Sequence, residues 1–287
     1  MTLPSVRSGI AALAVLLAWF LSAPNSFAQY PQAAPPASSG AQSQTPKDGQ
    51  TAPALAAPKA DPEEEAAYKS FSDTKPEDAD KRIQLGEQYV QKYPSGKYLD
   101  QVYQGLTTAE YSKQDFAKMY ADADKTLAAN PDDVTVLVLV GWVIPHNYNP
   151  EDLAAESQLE KGEKYEKHAL EVLATLPKPA NMTDEQFAKV KAQGESQAHS
   201  GLGLIYFRRQ DFEQSVAELK KSTADSANPD ATDYYVMGVE LTRLKRFAES
   251  ADAFQKCSQL PGSLQDRCKQ SGADAKKQAA AAPAPSK

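Results

Sequence analysis

Three histidines, His146, His168 and His199, are the first residues to weigh for chemistry, because imidazole can move protons or hold a metal near neutral pH. They are 22 and 31 residues apart and lack the spacing of a zinc site. The chain has no G-x-x-x-x-G-K-[ST] phosphate loop, no G-x-G-x-x-G, no H-E-x-x-H and no G-x-S-x-G. Gly201-Leu202-Gly203 is a pair of glycines in a helical pattern. The acidic runs Glu63-Glu64-Glu65 and Asp132-Asp133 could share protons as paired carboxylates do. They stand where helices start, however, and there a carboxylate complements the helix dipole. His146 lies in the turn-rich stretch Pro145-His146-Asn147-Tyr148-Asn149-Pro150, a loop setting in which function concentrates. It is the one candidate for catalysis. No cofactor or metal is implied, and the chain does not read as an enzyme.

The elements that must position these residues begin well inside the chain. Arg7, the twelve apolar residues Ile10 to Leu21 and the small-x-small run Ser26-Phe27-Ala28 read as a signal peptide over 1–28. Twelve apolar residues fall short of the roughly 20 a membrane span needs, so cleavage is favoured over an anchor. Residues 29–62 are rich in Pro, Ala, Ser and Gln and poor in large apolar side chains. They cannot offset their ordering entropy and read as a disordered linker, either a passive spacer or a tether. Residues 272–287 read as a second loose tail. The folded body is therefore 63–271, long enough for one sizeable core.

Within that body the chain repeats. His199, Leu202-Gly203, Tyr206, Asp211-Phe212, Ser215, Leu219 and Ser222 align, at an offset of 35, with Tyr234, Met237-Gly238, Leu241, Arg246-Phe247, Ser250, Phe254 and Cys257. Asn228-Pro229 and Pro261-Gly262 end the two units. Tyr103, Leu106, Gln114-Asp115-Phe116, Met119 and Asn130-Pro131 form a looser upstream copy, and residues 63–95 a degenerate one. A small residue such as Gly203 lets two helices cross closely, and the aromatic of the turn fills the wedge between them. Proline then stops the second helix.

This pattern resembles the tetratricopeptide repeat (TPR) family. The resemblance implies an all-α solenoid of about five helix pairs, each burying its apolar face only by stacking on its neighbours. The third pair departs from the pattern. The Val-rich run Val134 to Ile144 could be a strand by composition, but Asn130-Pro131-Asp132-Asp133 starts helices and Gly141 falls at the repeat glycine, so a buried helix is favoured. Asn149 and Pro150 are expected to open a helix running 27 residues to Leu176, and Asn181 or Thr183 the next one. His199 takes an aromatic place of the repeat and reads as a packed core residue.

The resemblance also implies a concave face lined by the first helix of each pair and suited to an extended peptide or partner helix. The positions carried over are Gln104, Thr108 and Tyr111, then Val138 and Trp142, then Ser200, Leu204 and Phe207 beside Arg208, then Tyr235, Val239 and Thr242 beside Arg243. For Trp142, Leu204 and Val239, packing between units is favoured over contact with a partner. With 31 Lys and Arg against 38 Asp and Glu, the chain has a formal charge of -7, and loss of Arg7 with the signal makes it -8. An acidic chain without a basic cluster is a poor nucleic-acid binder. The expected function is an exported scaffold, periplasmic or secreted, that holds protein or peptide partners without a membrane span of its own. The other readings are an enzyme or enzyme subunit acting through the loop near His146, and a passive spacer.

Cys257 and Cys268 are the only cysteines. Cys257 stands near the end of the last repeat's second helix, and Ser263 can cap a following helix that carries Cys268. Export would place both in an oxidising compartment, so a disulfide is favoured over two buried thiols.

Overall fold

The computed structural model describes residues 61–281 except 225 and 227. The expected signal peptide, the linker up to residue 60 and the last six residues lie outside the described part. Eleven helices and no strand occur among the described residues. They are α1 (Pro62–Ser72), α2 (Ala79–Lys92), α3 (Leu99–Lys113), α4 (Phe116–Ala129), α5 (Val134–His146), α6 (Ala155–Thr175), α7 (Asp184–Arg208), α8 (Phe212–Ala224), α9 (Ala231–Arg243), α10 (Phe247–Gln259) and α11 (Gln265–Ala281). Consecutive helices pair into five hairpins, and α11 packs on α10 as a sixth, single layer.

Three hairpins share one turn. Gln114, Gln210 and Lys245 take left-handed backbone with φ of 61°, 63° and 60°. The next amide reaches back five residues in each: Asp115 N–H to Glu110 O, Asp211 N–H to Tyr206 O and Arg246 N–H to Leu241 O, at 3.0, 3.0 and 2.8 Å. This closes the first helix in a Schellman motif and satisfies its last carbonyls. Phe116, Phe212 and Phe247 then open the second helices. The helix crossing repeats as well. Ser215 Oγ donates to Gly203 O at 2.7 Å, and Ser250 Oγ donates to Gly238 O at 2.8 Å. A Cβ at Gly203 would lie 2.5 Å from Leu219, and one at Gly238 2.7 Å from Phe254, so the two helices meet at the closeness only glycine permits.

The Val-rich segment is the helix α5, capped by Asp133, whose carboxylate accepts from Val136 N–H at 3.0 Å. From Val134 to Pro145 every residue but Thr135 is buried, as befits a helix that is apolar all round. Two long helices follow, α6 of 21 and α7 of 25 residues. The enlargement thus spans the second helix of the third pair and the first helix of the fourth. Thr183 starts α7 with a capping box completed by Gln186.

Three boundaries differ from the sequence reading. α6 starts at Ala155, not at Pro150, because Asn149 and Asp152 cap short turns of their own, accepting from Glu151 N–H at 3.1 Å and Ala154 N–H at 2.9 Å. Asp61 and Pro62 belong to α1 as its N-cap and first residue. The segment 272–281 is helix, because Gly272 and Ala275 pack on α10 with Cys268. Cys257 and Cys268 are joined by a disulfide, with Cα atoms 5.9 Å apart.

Candidate functional site

Most of the side chains expected on the concave face are occupied within the chain. Gln104 Nε2 donates to Asp133 at 2.8 Å, and Ser200 Oγ donates to Asp233 at 2.8 Å. Gln104 and Ser200 precede Thr107 and Gly203 by the same three residues, so one repeat position ties α3 to the start of α5 and α7 to the start of α9. Thr108 is buried and bonded to Gly105 O at 2.9 Å. Thr242 bonds to Gly238 O at 2.9 Å and lies 2.7 Å from Ser250 Oγ. Trp142 is 3 % exposed and stacks on His146 with ring centroids 3.6 Å apart. Tyr235 is buried against Phe254, and Arg267 of α11 covers its ring. Thr108, Tyr111 and Tyr235 are therefore core residues, which corrects their assignment as contacts; Trp142 and Leu204 are buried, as the favoured packing reading has it, and Val138 is buried too. Stacking turns a first-helix side chain into the interface between units before it can line a groove. Arg243 remains exposed, its guanidinium 4.9 Å from the Phe212 ring centre.

One group of polar and aromatic side chains gathers at the end of α5. Arg208 on α7 donates from Nε to Pro145 O at 2.8 Å, closing the C-terminus of α5, and lies over Tyr148 and Phe207 at 5.3 and 5.7 Å. His146 Nδ1 is 2.7 Å from Trp142 O, which makes Nδ1 the protonated nitrogen and leaves Nε2 as an acceptor. Burial pushes His146 down to about 4, so the ring is neutral at pH 7. Tyr111 carries a buried hydroxyl without a partner. Asp230, the N-cap of α9, is close enough to act electrostatically on both Tyr111 and His146. Four first helices thus converge on one polar and aromatic patch. On the adjoining loop Leu153 is fully exposed, at 105 % of its reference area.

This arrangement positions donors and acceptors but assembles no nucleophile–base pair. Among the described residues no group of three His, Cys, Asp or Glu could hold a metal ion. His199 is half-buried, bonding from Nδ1 to Glu218 at 2.6 Å, and is not the fully packed core residue expected. His168 bonds to Asp132 at 2.8 Å on the surface. The acids Glu64 and Glu65 do more than start α1: Glu64 accepts from Tyr89 Oη and from Lys97 N–H, both at 2.6 Å, and Glu65 accepts from Tyr98 Oη at 2.6 Å.

Sequence reasoning missed the buried acids. Burial, helped by Asp122, pushes Glu110 up to about 8. Burial also lifts Glu240 to about 8 and Asp233 to about 7, the latter against bonds from Ser200 and Ser222. The only signal was an acidic residue on a helix face otherwise apolar.

Replacing Arg208 by Ala is expected to cost about 2 kcal/mol, from a charge-assisted hydrogen bond and two weak cation–π contacts. Lys should not restore it, because an ammonium cannot stack flat and cap a carbonyl together. Urea denaturation of the three proteins checks this; a Lys variant as stable as wild type would contradict it.

The class these features define is a TPR-type helical-hairpin solenoid, on the evidence of its own repeated turns and crossings. No family model matches the sequence, and no curated protein matches it. Among solved structures the chain is similar to a thermophilic TPR protein from Thermus thermophilus, with TM-score 0.41 and 15% identity over 74% of this chain and 96% of that one. No helix among the described residues is long and apolar enough to cross a membrane.

Proposed function

We propose that the protein is an exported scaffold, periplasmic or secreted, that holds protein or peptide partners at the end of α5 and the loop 147–154. The observation that carries the reading is that one loop holds both the fully exposed Leu153 and Tyr148, whose ring is covered by Arg208 of α7. Tyr and Arg are residue types enriched at interaction hot spots, and the exposed leucine adds apolar area beside them. Export is supported by the signal-like segment before residue 29 and by a disulfide, a bond that persists in oxidising compartments. The absence of a basic cluster in the sequence speaks against nucleic acid as the partner.

The test is affinity capture from an envelope extract with the tagged protein and with its Leu153→Asp variant, followed by mass spectrometry. A partner enriched by the wild type and lost by the variant is the expected result. A partner set unchanged by the variant would remove loop 147–154 from the interface, and recovery of none above background would remove the scaffold reading.

A further inference from the structure

Glu166, in the middle of α6, is a buried acid on which nothing but burial acts, whereas Ser215 and Arg243 both act on the equally buried Glu240. Glu166 is 0 % exposed, and neither carboxyl oxygen has a hydrogen-bond partner. Its neighbour one turn earlier, Glu163, shows the contrast: Lys167, Arg209 and Tyr206 all bond to it. The position explains the oddity. Gly162, Glu166 and Ala169 have the spacing of Ser215, Leu219 and Ser222 and of Ser250, Phe254 and Cys257. Leu219 packs on Gly203 and Phe254 on Gly238, and Glu166 packs in the same way on Gly141. An ionisable group therefore occupies the place where the other units put their hydrophobic wedge.

The wedge is tight on both sides. A Cβ at Gly141 would lie 2.6 Å from the Glu166 carboxyl, and one at Gly201 would lie 2.0 Å from its Oε1. α5 meets the carboxyl at Gly141 and α7 meets it at Gly201. Neither helix offers it a charge: His146 on α5 bonds to Trp142 O, and on α7 His199 bonds to Glu218 and Glu195 pairs with Lys191. On α6 itself Glu163 and Lys167 are committed to each other. In such a slot only the neutral acid is tolerated, since a buried carboxylate without a counter-charge cannot be solvated.

We propose that Glu166 is a proton-controlled latch for the α5–α6–α7 layer: protonated, it seats between Gly141 and Gly201, and once ionised it must leave, so that α6 separates from its two neighbours. The sign follows from linkage. Burial alone raises the acid well above its ordinary value in the folded chain. The native state then holds a proton that the unfolded chain has released above about pH 4.3. Stability of this layer therefore falls as pH rises from there through the folded value. The latch does not depend on what the protein binds.

Hydrogen exchange of the full chain at pH 6 and pH 9, corrected for the intrinsic rates, tests it. Peptides from α5 to α7 should lose about tenfold or more protection at pH 9, while those from α1 and α2 keep theirs. Glu166→Gln should hold protection at both pH values. If that variant does not fold, Glu166→Leu, which installs the side chain found at 219, carries the same comparison. Full protection of the wild type at pH 9, or the same loss in a folded variant, would overturn the latch.

Discussion

Trp142→Ala should lower the stability of the protein by about 3–5 kcal/mol, the range for emptying a buried aromatic site. The indole is packed among Tyr111, Val143, Leu159 and Ile205, on the side of α5 that faces the second and fourth hairpins. It also supports the His146 ring from below. Its removal leaves a cavity at the junction of three units, and stacked units cannot collapse into it without shifting their own crossings. Urea denaturation followed by circular dichroism measures the loss; the same experiment should show a helical protein without sheet. A stability change under about 1 kcal/mol, coupled to lost partner capture, would instead return Trp142 to the binding surface.

The second large effect concerns α11. Its inward face is Cys268, Gly272 and Ala275, side chains that bury little apolar area. Such a helix at the end of a stack has one neighbour and frays readily. The bond from Cys257 closes a sequence separation of 11, for which the chain-entropy model gives about 3 kcal/mol. Replacing both cysteines by Ala should therefore cost about that much, with amides of α11 losing exchange protection before those of α9. Alanine is preferable to serine here, because it adds no buried hydroxyl. Alkylation of the unfolded, exported protein without reductant is the direct check. Two alkyl groups in the intact mass would refute the bond.

The repeat was legible wherever its physics depends on side-chain size. Gly203 and Gly238, Phe212 and Phe247, and Ser215 and Ser250 each mark a place where volume is constrained, and the offset of 35 exposes them. The shared Schellman turns were not legible, because Gln114, Gln210 and Lys245 sit at left-handed φ, where a glycine would have signalled the turn. The tail was misread for a related reason. Small residues suggest disorder when counted, yet Gly272 and Ala275 are what let α11 lie close on α10. Of the side chains carried over to a concave face, several are occupied inside the chain, which their types alone did not show. Gln104 and Ser200 look like groove residues until their acceptors, Asp133 and Asp233, are seen at the start of the following unit. Glu166 stayed hidden because a glutamate inside a charged helix reads as surface. Only its place opposite Gly141 shows otherwise.

The ties from Gln104 to Asp133 and from Ser200 to Asp233 fasten first helix to first helix with part-buried or buried polar bonds. Second helices are fastened to one another differently, by the ion pairs Lys118–Glu87, Lys161–Asp124 and Lys220–Glu249, each at 2.8 Å and each open to solvent. Water and salt compete for such pairs, whereas they reach the first-helix bonds far less. Rising ionic strength therefore weakens the ties between second helices more than those between first helices.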